Sequence, residues 1–241
     1  MSFNIEKCKY MVFKNKWFDI ELRISGILID ETELEKDLGV YISNDLKWKY
    51  QVEQSVNKAR MVLGQLKKAF KYWTIQSFKQ LYTSLVRPHL EYAIAAWNPY
   101  LKRDVALLEA VQEKATYLVP SLRTLSYEER LDRIGLSSLR ERRERADLIE
   151  YFKIRNGHSI VCWHNPNICS SLESNGPAGG IRGGKHRITR QLTKNQQRFN
   201  FLTNRVVNNW NSLPYDVVMS NSKNGFKNNL DRHFGQLRSG Q

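Results

Sequence analysis

Residues 51–70 read QVEQSVNKARMVLGQLKKAF, and Val52, Val56, Ala59, Leu63, Leu66 and Phe70 recur there every three or four positions. That spacing predicts an amphipathic helix. Upstream the period is two. In FDIELRI, Phe18, Ile20, Leu22 and Ile24 alternate with Asp19, Glu21 and Arg23, which predicts a half-buried strand. KYMVFK (9–14) reads as a strand before it, with Asn15-Lys16 as the hairpin turn, and DLGVYIS (37–43) as a third strand with Leu38, Val40 and Ile42 on one face. The change of period near residue 46 predicts an α+β chain that is mainly α: a short antiparallel three-strand segment followed by a helical bundle.

Downstream the helical period continues. A second helix is predicted near Ile75–Val86, with Pro88 stopping it or opening the next turn. A third is predicted over about Arg103–Val119, with Val105, Leu108, Val111, Ala115 and Leu118 inward. Ser126 with Glu129, Ser138 with Glu141, and Thr193 with Gln196 have capping-box spacing. The RERRER run after Ser138 invites a nucleic-acid reading. Its Arg140–Glu144, Glu141–Arg145 and Arg143–Asp147 pairs instead predict a solvated helix laced with i,i+4 ion pairs. Residues 157–192, rich in Gly, Ser, Asn and Pro, read as a linker. After it, Phe199, Leu202, Val206 and Trp210 share a helix face, and a last short helix carries Phe226, Leu230 and Phe234. The organisation expected is 1–45 strands, 46–156 helical domain, 157–192 basic linker and 193–241 C-terminal helical segment.

The 241 residues carry 38 Lys+Arg against 24 Asp+Glu, a formal charge of +14. Residues 1–45 are net −3, residues 46–160 net +9 and residues 161–241 net +8. The excess is concentrated between Leu46 and Leu90, with nine basic residues and one acid, and between Ser174 and Tyr215, with seven and none. A polyanion bound to such stretches releases counterions, so RNA or DNA is the natural partner. Arg60, Lys67, Lys68 and Lys71 fall within about a 100° arc of the first helix; together with Lys58 they are candidate phosphate contacts, as are Arg182, Lys185, Arg187 and Arg190. Trp48, Tyr50, Tyr72, Trp73, Tyr82, Tyr92 and Trp97 interleave with the basic residues, and helical spacing assigns most of them to the core.

Other chemistry is poorly supported. GGIRGGK (179–185) lacks the hydroxyl after its lysine and a preceding strand, so it reads as a phosphate-touching Arg-Gly segment rather than a nucleotide loop. His158, Cys162, His164 and Cys169 are weak zinc candidates whose spacing fits no common finger. The acidic run from Asp30 to Asp37 reads as a solvated loop. No nucleophile–base motif is present, and no metal or cofactor is expected in this chain. No apolar run spans a membrane, and the N-terminus lacks a signal-peptide core. With three cysteines, Cys8, Cys162 and Cys169, the reading is an intracellular protein, cytoplasmic or nuclear and not secreted.

Six phrases in order, FNIEKC (3–8), KDLGVYISNDLKW (36–48), LYTSLVRPHLEYAIAAWNPY (81–100), LEAVQEKAT (108–116), SYEERLDRIGLSSLRERRERADLIEYFKIRNG (126–157) and VVNNWNSLP (206–214), resemble the C-terminal part of non-LTR retrotransposon reverse transcriptases of the jockey and chicken-repeat type. The resemblance implies that Asn4, Lys7 and Cys8 follow the catalytic strand of a palm and that Leu38 and Gly39 match the primer-grip hairpin. It also implies that the helices from Gln51 match the thumb, which tracks the template–primer backbone. The family's Mg²⁺-binding carboxylates precede the first phrase, so the expectation is a nucleic-acid-binding fragment, partnered by the upstream palm and fingers, that does not polymerise alone. The competing expectations are a helical scaffold whose charge confers solubility and an unselected relic.

Overall fold

The computed structural model describes residues 4–13, 21–161 and 186–239. The architecture is α+β and mainly helical, with short strands near the N-terminus followed by helices. Two compact units divide it: Met1–Ala93 with Trp97–Leu136, and Ile94–Ala96 with Ser137–Gln241. The helical stretch expected as one domain over 46–156 is therefore shared between units, with the boundary after Leu136.

The three-strand segment takes a different form. Among the described residues there are three separate two-stranded pairings. β1 (Lys9–Tyr10) pairs in parallel with β4 (Asp30–Glu31), and β2 (Arg23–Ile24) pairs antiparallel with β3 (Ile27–Leu28). β5 (Leu34–Asp37) pairs antiparallel with β6 (Val40–Ser43), so DLGVYIS is a hairpin and not one strand. The physical reason is backbone conformation: Leu38 and Gly39 both have positive φ, at 45° and 87°. That is the signature of a two-residue type I′ turn. The proposed turn at Asn15-Lys16 lies outside the described residues.

In the first unit, α1 (Lys49–Ala69) buries Val52, Val56, Ala59 and Leu66. It stops before Lys71 because Phe70 turns extended at φ −114°, ψ 120°. α2 (Ile75–Leu81) runs into a π-helical turn (Tyr82–Val86) and then α3 (Arg87–Glu91). Pro88 has no N–H to return to Ser84, and its ring crowds that carbonyl. The wider turn, in which Arg87 N–H reaches Tyr82 O, relieves both problems. After α4 (Ile94–Trp97), α5 (Lys102–Thr116) presents Leu108, Val111 and Ala115 inward together with Gln112. Gln112 is fully buried and satisfied: Tyr82 Oη donates to its Oε1 at 3.0 Å, and its Nε2 donates to Tyr127 Oη at 2.9 Å. Tyr127 in turn donates to Glu109 Oε1. Burial, and then this carboxylate, push the Tyr127 hydroxyl far above the ordinary tyrosine range.

α6 (Tyr127–Ile134) begins at the expected capping box and ends at Gly135, which is left-handed with φ 70°. The Ser126 backbone N–H, and then its hydroxyl, hold the Glu129 carboxyl below its usual value. A carboxyl lowered on folding adds stability above its unfolded pKa and loses it as pH falls through the folded value. Arg130 is buried without a carboxylate. Its guanidinium lies 3.9 Å from the Tyr117 ring centroid and donates to Thr116 Oγ1 at 2.8 Å and Leu125 O at 2.7 Å.

The second unit is built on α7 (Leu139–Arg155), capped by Ser138 and Glu141 as expected. Ser138→Ala removes the oxygen that accepts Glu141 N–H at 3.2 Å, and denaturant melts should report a loss of about 1 kcal/mol. α7 is not the solvated helix its spacing suggested. Leu148, Tyr151 and Phe152 form a core with Trp210, Phe226 and Leu230, and Arg143 and Asp147 are buried. Arg140–Glu144 forms at 3.2 Å, but Arg145 takes Asp231 and Asp147 takes Arg205. The helix expected over 193–210 is broken into α8 (Gln196–Phe199), α9 (Leu202–Arg205) and α10 (Val207–Asn211). Its cap is Asn195, whose side chain accepts Arg198 N–H at 3.1 Å, rather than Thr193. α11 (Tyr215–Val218) and α12 (Lys223–Ser239) follow, the latter longer than expected.

Candidate nucleic-acid interface

The β5–β6 hairpin is tied to the helices of its unit at two points near its turn. On β6, Tyr41 N–H donates to Gln51 Oε1 at 2.9 Å, and Gln51 Nε2 donates to Ser55 Oγ at 3.2 Å. The first turns of α1 thereby supply strand β6 with a hydrogen-bond acceptor that the two-stranded ribbon lacks. At its tip, Tyr92 Oη donates to Leu38 O at 2.9 Å. The Tyr92 ring lies so close to Gly39 that a Cβ there would sit 3.2 Å from Cε1. Gly39 is thus required twice, by its φ and by this approach. Tyr92 is itself held from the core, because the buried Trp97 donates Nε1–H to Tyr92 O at 2.7 Å.

Between hairpin, α1 and α3 lies a cleft of about 170 Å³. Gly39, Lys36, Tyr41, Gln51, Gln54, Ser55, Lys58, His89 and Tyr92 line it, and no carboxylate is among the described lining residues. Lys36 stands opposite Tyr41 in the hairpin register, its Nζ 5.4 Å from that ring. Neither Lys36 nor Lys58 forms an ion pair with a described residue, and both are exposed. Two ammonium groups with amide and imidazole donors make a site for an anion such as phosphate, while the single Tyr92 O–H stays on Leu38 O.

The structure separates residues that the sequence grouped. Lys58 lies in the cleft, while Arg60 is about 160° away around α1 at 100° per residue. Arg60, Lys67 and Lys68 are exposed along that other flank, and Lys71 is exposed beyond the helix end. Arg187 is exposed in the second unit, and Arg190 there leans on the Phe199 ring at 4.7 Å and donates to Asn204 O. Arg182 and Lys185 lie outside the described residues. So do Cys162, His164 and Cys169, and His158 stacks on Phe152 at 6.1 Å. Among the described residues no group of three or more His, Cys, Asp or Glu could hold a metal ion. Also among them, no helix is long and apolar enough to cross a membrane.

Of the interleaved aromatics only Tyr82 and Trp97 are core; Trp48 and Trp73 are half-buried, and Tyr50, Tyr72 and Tyr92 are exposed. Lys36, Tyr41, Gln51, Gln54, Ser55 and His89 are cleft residues that the sequence reading did not single out. The contacts of Gln51 and Tyr92 with the hairpin become visible only once Leu38-Gly39 is read as a turn.

Comparison with known proteins adds one relative. Over 141 residues, 57% of this chain and 69% of the relative, it is 26% identical to a Caenorhabditis elegans protein described only as uncharacterized. No family model matches, and no solved structure matches.

Proposed function

We propose that the chain binds nucleic acid through its backbone phosphates, without sequence preference, as the template–primer-holding part of a reverse-transcriptase type of protein. The observation that carries this reading is the cleft beside the latched tip at Leu38-Gly39, whose described lining includes Lys36 and Lys58 and no carboxylate. The unpaired cations along α1 extend it. Phosphate oxygens accept from Lys36 Nζ and Lys58 Nζ, with Gln54 as a neutral donor, and each ammonium contact releases a condensed counterion. The hairpin's role is geometric: a tip clamped by Tyr92 holds its position when a strand end is pressed against it.

Lys36→Ala and Lys58→Ala should each lower the slope of log affinity against log salt by about one, equally for unrelated sequences. Fluorescence anisotropy with two duplexes of equal length and different sequence measures it. Losses that depend on the sequence would contradict backbone contact, and unchanged slopes would remove the cleft from the interface.

A further inference from the structure

The second unit contains a pocket of about 130 Å³ that none of the foregoing uses. Its floor is Trp210, buried and fixed from several directions. Nε1–H donates to His186 O at 2.9 Å, and the Tyr151 ring stands edge-on at 4.8 Å. Leu213 and Val218 supply apolar wall, and Tyr215, 59% exposed, supplies an open aromatic face. The Tyr215 and His186 rings meet at 62° with centroids 5.6 Å apart.

The polar groups at the rim are specific. Arg155 donates Nη1–H to His186 O at 3.2 Å, and its Nη2 lies 3.5 Å from His186 Nδ1. A guanidinium only donates, so Nδ1 is the acceptor and the imidazole proton sits on Nε2. His186 Nε2–H, Tyr215 Oη and the exposed Arg187 guanidinium have no hydrogen-bond partner among the described residues. The volume is well below the roughly 300–1,000 Å³ that encloses a whole cofactor. It suits one planar ring, with the remainder of the ligand outside.

We infer that this pocket binds one unpaired nucleotide of a single strand, its base against Tyr215 and His186 and its phosphate on Arg187. An aromatic face with free donors at its edge recognises a ring that carries acceptors, and the adjacent guanidinium selects a ring that carries an anion. The net +8 of residues 161–241 favours a polyanion over a lone aromatic compound. This inference goes beyond backbone-phosphate binding and uses a different surface, so either can fail without the other.

The test compares the full chain's affinity for a labelled oligothymidylate with its affinity for an abasic strand of the same length and charge. The base-bearing strand should bind about tenfold more tightly. Tyr215→Ala should abolish that preference and leave abasic-strand binding unchanged, and Tyr215→Phe should keep it. Arg187→Ala should weaken both strands alike. Equal affinity of the unsubstituted chain for the two strands, binding to neither, or a preference that survives Tyr215→Ala would overturn the inference.

Discussion

Arg205→Ala is expected to destabilise the second unit by about 3–5 kcal/mol, the range for stripping one partner from a buried ion pair. Arg205 grips Asp147 bidentately, Nε to Oδ2 at 2.8 Å and Nη2 to Oδ1 at 2.7 Å. The same guanidinium donates to Asn200 O at 3.1 Å and to Ala95 O, so the fork ties α7, α9 and the 94–96 segment at one point. The cost arises from what is lost: the two-point guanidinium fork on the Asp147 carboxylate, itself 5% exposed, and the bonds from the same group to two backbone carbonyls. Replacing both residues with apolar ones of similar size should recover part of the loss, because the Asp147 carboxylate is then no longer left buried. Denaturant unfolding followed by Trp210 fluorescence measures both variants. A loss below about 1 kcal/mol, typical of a surface pair, would contradict the buried-fork account.

Trp97→Ala is expected to cost the first unit about 3–5 kcal/mol through the cavity left by a fully buried indole. Its consequence for the cleft is the more specific claim. Without the 2.7 Å bond from Nε1–H, Tyr92 O loses its donor, and Tyr92 in turn anchors Leu38 O at the hairpin tip. Trp97→Phe keeps an aromatic ring but removes the donor together with part of the indole. The expected cost is about 1–3 kcal/mol from the unsatisfied carbonyl, plus that of a smaller cavity than the alanine leaves. In that variant amide hydrogen exchange at residues 37–41 should accelerate more than in α5 or α6. Uniform acceleration across the unit would mean that Trp97 stabilises the fold without positioning the tip.

How much of this was legible in sequence depends on whether the deciding contact was local. The α1 stripe and the boxes at Ser126 and Ser138 depend on residues three or four apart, and each forms where spacing placed it. The resemblance also put a hairpin at Leu38-Gly39, whereas periodicity made it one strand. Leucine is a poor turn residue because a left-handed conformation costs it about 1–2 kcal/mol. Here that conformation is held by the Tyr92 latch, 54 residues away. The RERRER helix misled for the same reason. Local spacing offered Arg145 a partner four residues away, but the fold supplies Asp231, 86 residues away, and it gives Asp147 the distant Arg205, 58 residues away. A bidentate guanidinium–carboxylate pair out of water outweighs an exposed i,i+4 pair of about 0.3–0.5 kcal/mol. The cleft shares this character: Lys36, Lys58 and His89 come from three elements, and no one-dimensional pattern joins them. Charge counting grouped Lys58 with Arg60, which joined two faces of one helix.

The central claim, phosphate-mediated binding at the carboxylate-free cleft, is tested most directly by anisotropy with an RNA–DNA hybrid, a DNA duplex and a neutral polymer across a salt series. The expected result is a linear fall of log affinity with log salt for both nucleic acids, with a slope of about −0.9 for each phosphate held, and no binding to the neutral polymer. Salt-independent binding, or none at all by a chain that melts cooperatively, would contradict it and leave the +14 charge to solubility.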